Sequence, residues 1–224
     1  MSNLDSASVS ALLSAERFLP YLVSASGDEY EAISLYHWNS RANAEIMHLT
    51  GMIEVFVRNA IDTQLARWAR RRGDHSWFDS VPLDAKGIAD LARARVRARQ
   101  ISHPKVVHGR VIAELSFGFW RYLVTPRYQA SLWAPAIRRA FPGGNPDMAR
   151  RRIEVDSHLG SLLLLRNRAA HHEPNHRRNL LDDHHNAVEL ASWIDPAAAA
   201  WITDQSMIPE IFAAKPTLRA RTSG

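Results

Sequence analysis

One pattern dominates this chain: apolar residues recur at helical spacing from one end to the other. The clearest run starts at Ile46 and continues at intervals of three, four or seven residues, through Ile53, Val57, Ile61, Leu65 and Trp68. This spacing places the apolar side chains on one face of an α-helix. No segment shows the two-residue alternation that is typical of a half-buried strand. The sequence therefore predicts an all-α protein.

The first helices follow from this spacing and from the turn residues between them. The longest helix is predicted to begin near residue 28, with a candidate break at Asn39-Ser40, and to end before Gly73. A second helix is predicted over residues 88–99 and a third over 104–123. The segment "ASLWAPAIRRAF" predicts a short helix that the turn "PGGNP" ends.

The second half of the chain is predicted to be helical as well. Asn145 followed by Pro146 is the expected N-cap and first turn of a long helix that Pro174 ends. Two more helices are predicted over 180–194 and 196–202, with a loose tail after about residue 212. We expect residues 1–224 to form a single domain.

Composition excludes several classes of protein. The chain has 224 residues and no cysteine, which rules out disulfides and thiolate metal sites within it. Its first fifteen residues are rich in Ser and Ala and do not resemble a signal peptide. No apolar run approaches the roughly 20 residues that span a bilayer. We therefore expect a cytoplasmic protein with no membrane partner.

The positive charge is unevenly distributed. The formal net charge is +5, and residues 58–110 hold 12 Lys and Arg against 5 Asp and Glu. Such a basic segment attracts polyanions, although a solvated helical face is the more common explanation of such a charge excess. The alternating arginines at positions 93, 95, 97 and 99 fall on two faces of a helix, so they do not form one dense patch.

The segment "LLLLRNRAAHHEP", residues 162–174, combines leucines with an arginine and two adjacent histidines. On an α-helix Asn167 and His171 are about 40° apart and share a face, whereas Arg166 and His171 are about 140° apart. Arg166 and His171 of one helix therefore cannot easily converge on a small ligand. They can do so if two copies of the helix pack together, or if the last turn loosens.

Arginine and histidine together suit only a few reactions. Arginine holds phosphate through two hydrogen bonds, and histidine transfers protons near neutral pH. Together they suit cleavage of RNA by its own ribose hydroxyl, a reaction that needs no metal or other cofactor. The alternatives are a helix end that pairs with Glu173 or Asp182, and a zinc site. Zinc is disfavoured because cysteine is absent and Pro174 separates His172 from His176.

Four segments resemble a known family. "RNRAAHHEP" resembles the Arg-Asn-x-x-Ala-His-His signature of the Abi-like abortive-infection family, a branch of the HEPN superfamily. In the same order, other family segments resemble "LYHWNSRANAEIMHLTGMIEVFVRNAI", "LSFGFWRYL" and "ASWIDP". The resemblance covers roughly residues 28 to 205.

The resemblance implies a fold and a reaction. The fold would be an HEPN-like helical bundle with additional flanking helices, in a homodimer whose two Arg…His helices share a cleft. The activity would be that of an endoribonuclease of the abortive-infection or toxin type, independent of metal. It would cleave tRNA or mRNA and leave cyclic phosphate ends. A protein or RNA antitoxin is a candidate partner. The alternative is a non-catalytic module that binds or senses RNA in phage defence.

The resemblance also assigns roles to residues. Arg166, Asn167 and His171 match the Arg-Asn-x-x-x-His motif, and His172 is a second candidate because the spacing varies in the family. The remaining candidates are support residues and RNA contacts. They are Glu54, Arg58 and Glu173 for support, and Arg121 and Arg168 for RNA, with Trp120 and Tyr122 as stacking candidates beside Arg121. The more common alternatives are a surface ion pair for Glu54 and Arg58 and core positions for Trp120 and Tyr122.

Overall fold

The computed structural model describes residues 12–101 and 107–219, and within these ranges it contains helices and no strand. This confirms the all-α prediction. The α-helices are α1 Ala15–Ser24, α2 Glu29–Arg71, α3 Trp77–Ser80, α4 Ala85–Ile101, α5 His108–Glu114, α6 Phe117–Tyr122, α7 Met148–Ala170, α8 Leu180–Ile194, α9 Pro196–Gln205 and α10 Ile208–Ala213. Residues 1–11, which bear on the signal-peptide prediction, and 104–106 of the predicted third helix lie outside the described ranges.

The helices belong to two compact units. The first unit is built from described residues of Met1–Leu49, Leu164–His185 and Gln205–Gly224. The second is built from those of Thr50–Leu163 and Asn186–Asp204. Helices α2 and α7 each contribute residues to both units.

Helix α2 carries the apolar face that its sequence predicts. Ile46, Ile53, Val57, Ile61 and Leu65 are fully buried, so the periodicity marks the core side of the helix. The candidate break at Asn39-Ser40 is wrong, because α2 continues through both residues.

The predicted third helix is divided in two. Leu115 adopts an extended backbone, with ψ of 128°, and ends α5. The Ser116 side chain then accepts a hydrogen bond from the Phe119 amide and caps α6. A capping serine therefore interrupts an apolar pattern that looks continuous in the sequence.

Other boundaries also shift. "ASLWAPAIRRAF" forms no regular α-helix but a π-turn at Gln129–Trp133 and a 3₁₀ turn at Ile137–Ala140. The N-cap before α7 is Asp147, not Asn145, because Asp147 Oδ1 accepts from the amides of Ala149 and Arg150. These two bonds lower the pKa of Asp147. Helix α7 ends at Ala170, four residues before Pro174.

The described C-terminal part of the chain contains the two predicted helices and one more. Helix α8 has the predicted bounds, α9 runs three residues further than predicted, and α10 is additional. Beyond α10, Lys215 donates to the His176 carbonyl and Arg219 pairs with Glu31. No helix of the described part is long and apolar enough to cross a membrane.

Candidate functional site

The predicted site lies at the C-terminal end of α7, in the first unit. This helix ends in a Schellman motif. The Glu173 amide donates to the Arg168 carbonyl at 2.8 Å, and the His172 amide donates to the Ala169 carbonyl at 3.0 Å. The backbone of the site is therefore held by a defined cap and not by a loosened last turn.

His172 occupies the left-handed position of this cap, with φ of +54°. Glycine is usual there because it has no Cβ, and a side chain costs about 1 kcal/mol or more. Histidine tolerates this region better than most residues but is still uncommon in it. Strained residues of this kind are enriched at functional sites, which makes His172 a stronger candidate than its sequence position alone indicates.

The two histidines and the arginine of the motif are accessible to solvent. His171, His172 and Asn167 are exposed, and Arg166 is partly exposed. The His171 amide still bonds the Asn167 carbonyl at 3.0 Å, so His171 follows the helical path. The angle of about 140° between Arg166 and His171 therefore persists. Arg166 Nη1 lies 3.4 Å from Asn167 Oδ1, to which it donates.

A buried amide network fixes the loop that follows the histidines. Asn39 and Asn43, one turn apart on α2, both donate to the Glu173 carbonyl, at 3.3 and 3.2 Å. The Asn175 amide donates to Asn39 Oδ1 at 2.7 Å, and its side chain donates to Asn43 Oδ1 at 2.8 Å. All three asparagines are at most 3% exposed. The loop is thus anchored to α2 by four hydrogen bonds.

Arg168 belongs to this network. Its Nε donates to Asn175 Oδ1 at 3.0 Å, its Nη2 donates to the Pro174 carbonyl, and its Nη1 lies 3.5 Å from Glu173 Oε2. All three nitrogens are therefore engaged in holding the turn. The structure shows Arg168 and Glu173 as parts of the helix end, and RNA contact by Arg168 would require these bonds to break.

A pocket of about 310 Å³ opens beside the histidines. It is lined by residues 171–174 and by residues of α1 and its N-cap: Ser14, Glu16, Arg17 and Pro20. Arg17 Nη1 donates to the His172 carbonyl at 3.0 Å. An arginine that the sequence did not single out therefore lies next to both histidines, while Arg166 does not line this pocket.

The other predicted residues belong to the second unit. Glu54 and Arg58 lie on α2, and Arg58 Nε is buried without a hydrogen-bond partner among the described residues. Arg121 Nε donates to Asp156 Oδ1 at 2.9 Å. Trp120 is fully buried, so it is not available to stack on a base. Tyr122 donates its hydroxyl to Asp84 Oδ2 at 2.6 Å.

The first unit also buries His176, which is 3% exposed. Its Nε2 lies 2.9 Å from Ser24 Oγ, and its Nδ1 has no hydrogen-bond partner among the described residues. Its ring contacts Tyr21, with ring centroids 5.0 Å apart. Burial lowers the pKa of His176 to about 4, with Arg177 and Lys215 adding to the shift. Burial also raises the pKa of Tyr21 to about 12.

The histidines of the second half of the chain lie in separate environments. His158 contacts Glu189 at 3.3 Å and the Trp193 ring, and burial lowers the pKa of His184. In residues 12–101 and 107–219, no three His, Asp or Glu side chains are arranged to hold a metal ion.

Sequence reasoning missed Arg17, Asn39 and Asn43. Asn39 and Asn43 could have been noticed as amides four residues apart on one face of a predicted helix, but their partner lies about 130 residues away. Nothing in the sequence marks Arg17 as part of the site. No family model, no curated protein and no solved structure matches the chain significantly.

Proposed function

We propose that this chain is a metal-independent endoribonuclease of the abortive-infection type, with an HEPN-like bundle and a cleft shared by two subunits. It would act on cytoplasmic RNA. Arg166, Asn167, His171 and His172 would form the reactive group, and Arg17 would add a second cation. The proposal rests on the sequence resemblance and on the geometry of the α7 end.

The observation that carries the proposal is the conformation of His172. A cap that served only to end the helix would be more stable with glycine at this position. Instead two adjacent, exposed histidines precede a loop that four hydrogen bonds of buried asparagines hold in place. Such a rigid support is what a group that transfers protons requires.

The proposed reaction needs only the RNA and these side chains. One histidine accepts the proton of the ribose 2′-hydroxyl, and the 2′ oxygen forms a bond to phosphorus. The bond from phosphorus to the 5′ oxygen breaks, and the second histidine protonates that oxygen. Arginine stabilises the charge on the phosphoryl oxygens. The products are a 2′,3′-cyclic phosphate and a 5′-hydroxyl.

The angle between Arg166 and His171 is the reason for a shared cleft. A single α7 cannot direct both side chains at one phosphate. In a two-fold dimer each subunit would supply Arg166 to the histidines of its partner. Arg17 would act within its own subunit, because it already contacts the His172 carbonyl.

The first test is incubation of the purified protein with total RNA and with tRNA in EDTA. Wild type should produce discrete fragments with cyclic phosphate ends. Arg166→Ala and His171→Ala should each abolish these fragments without lowering the melting temperature. Cleavage that persists in both variants would overturn the assignment of the site.

The second test asks whether the cleft is shared. Arg166→Ala and His171→Ala proteins are mixed under conditions that exchange subunits. Half of the dimers would be mixed, each with one of its two sites intact, so about a quarter of the wild-type activity should return. No recovery, with exchange shown by differently tagged subunits, would place arginine and histidine in the same subunit.

One observation favours a binding module that does not cleave. In the part of the chain that the structure describes, no hydrogen bond fixes the imidazole of His171 or His172, although catalytic histidines are usually oriented by a partner. A binding module would show RNA affinity that falls with salt, no products, and little change in affinity in His171→Ala. The gel shift that measures this uses the same samples.

A further inference from the structure

The second unit contains another cluster of arginine and histidine side chains, within the basic segment noted in the sequence. A pocket of about 360 Å³ is lined by two arginines, two histidines, a serine, a phenylalanine and a valine: Arg95, Arg99, His75, His108, Ser76, Phe78 and Val111. No carboxylate is among the described residues that line it. Its lining therefore favours an anionic ligand.

Two of these side chains, His108 and Arg95, are arranged around the Phe78 ring. His108 stacks on Phe78, with ring centroids 4.6 Å apart and planes 20° apart. The Arg95 guanidinium lies 5.5 Å from the centroid of the same ring. These contacts limit the motion of both side chains and present them together to the pocket.

His108 is further held by a carboxylate. Asp62 Oδ1 lies 2.7 Å from His108 Nε2 and also accepts a hydrogen bond from Trp77 Nε1 at 2.7 Å. Because Nε2 is used in this contact, Nδ1 is the ring nitrogen left for a ligand. The imidazole is thus oriented by a partner, which the structure does not provide for His171 or His172.

The two arginines can accept a new anion. Arg95 pairs with Asp79 at 2.6 Å, but the Asp79 side chain is 68% exposed, and exposed ion pairs contribute little. Arg99 is exposed and makes no hydrogen bond or ion pair with another described residue. A doubly charged phosphate could therefore compete with Asp79 and recruit Arg99.

We propose that this pocket binds the phosphate group of a small phosphate monoester. Arg95 and Arg99 would hold the phosphate oxygens. His108 would donate to them through Nδ1 in its imidazolium form, in which Nε2 donates to Asp62. The volume is in the range of small-molecule sites and suits a nucleoside monophosphate. The site does not depend on the ribonuclease proposal, since it shares no residue with the α7 end.

The test is isothermal titration of the full-length protein with AMP, inorganic phosphate, adenosine and a short DNA oligonucleotide. AMP should bind saturably and adenosine should not. Affinity for AMP or for inorganic phosphate would support the proposal. Affinity confined to the oligonucleotide would overturn it, because the phosphates of a strand are singly charged diesters. No saturable binding of AMP, phosphate or oligonucleotide would overturn the proposal.

The matched variants are Arg99→Gln and Arg93→Gln, on the same helix. Arg93 pairs with Asp90 and does not line the pocket. Arg99→Gln should weaken binding about tenfold or more, and Arg93→Gln should leave it unchanged. Equal losses in both variants would show non-specific attraction and overturn the site.

His108→Gln separates a ligand contact from a structural one. A glutamine amide can still donate to Asp62 but has no group at the position of Nδ1. We expect an unchanged melting temperature and an AMP affinity at least about threefold lower. Unchanged affinity would show that His108 only anchors α5, and would overturn its assignment to the ligand.

Discussion

At the scale of single residues, His172 is where stability and function are expected to conflict. Its left-handed backbone costs free energy that a glycine would not cost. Strained positions of this kind are enriched at functional sites, which supports a role for the His172 side chain outside the fold. The substitution to glycine is therefore informative about both properties at once.

We predict that His172→Gly stabilises the protein by about 1 kcal/mol. For a chain of this size that corresponds to a rise of about 2–4 °C in melting temperature. RNA cleavage should fall at least about tenfold, because the proposed reaction assigns a proton transfer to His172. His172→Asn is the control, since asparagine also tolerates this backbone. An increase in stability with full activity would show that the imidazole has no catalytic role.

Arg17 gives a second residue-scale prediction. Arg17→Ala should lower kcat/KM for RNA about tenfold, because it removes the second cation of the proposed site. The melting temperature should not change, since the hydrogen bond from Arg17 to the His172 carbonyl is exposed. The dependence of RNA binding on salt should also weaken by about one phosphate contact. Arg17→Lys should restore most of the salt dependence. Arg70→Ala, at an exposed arginine of α2, is the comparison. A loss of activity with an unchanged salt slope would assign Arg17 a structural role only.

At the scale of elements, the sequence correctly predicted those helix faces and helix ends that local sequence patterns determine. The buried face of α2 and the bounds of α8 follow from apolar spacing and from Pro196, which begins the next helix. The continuity of α2 at Asn39 did not follow, because its polar side chain is satisfied by a distant loop. The division between α5 and α6 was missed because Ser116 caps a helix inside an apolar run.

The loop that follows α7 is held in place by hydrogen bonds to Asn39 and Asn43 on α2. This dependence is testable. Asn43→Ala leaves the buried Asn175 side chain without its acceptor and removes one of two donors to the Glu173 carbonyl. We predict a loss of about 1–3 kcal/mol in the free energy of unfolding, measured by urea denaturation. The exposed neighbour Ser40→Ala should change it little. Equal stability of the two variants would show that the network does not hold the loop.

At the scale of the whole chain, the candidate site is assembled from distant segments. The first unit brings together α1, the N-terminal part of α2 and the end of α7. More than a hundred residues separate Asn43 on α2 from Arg166 on α7. The motif residues could be identified in the sequence because they lie within seven positions. Arg17 could not be identified, and Asn39 and Asn43 could be recognised only as a pair on one helix face, since only the tertiary fold brings these residues to the end of α7.

The buried His176 makes the stability of the whole protein sensitive to acid. The Ser24 hydroxyl donates to the Pro20 carbonyl, so His176 donates to it through Nε2 and keeps Nδ1 unprotonated and buried. Its pKa is about 4 in the folded protein against 6.5 for the ordinary side chain. Above pH 6.5 both states hold the neutral ring, and the stability due to this group is constant. As pH falls from 6.5 towards 4, the unfolded chain binds a proton that the folded one does not, and stability falls by up to about 3 kcal/mol.

His176→Gln should remove this part of the pH dependence, because glutamine can still donate to Ser24 but does not titrate. Urea denaturation at pH 7.0, 6.0, 5.0 and 4.5 measures the slope for each protein. The exposed His185→Gln serves as the control and should follow the wild-type profile. Carboxylates titrate in the lower part of this range in all three proteins, so the comparison uses the difference between profiles. Parallel profiles for wild type and His176→Gln would mean that the folded protein admits the proton at His176.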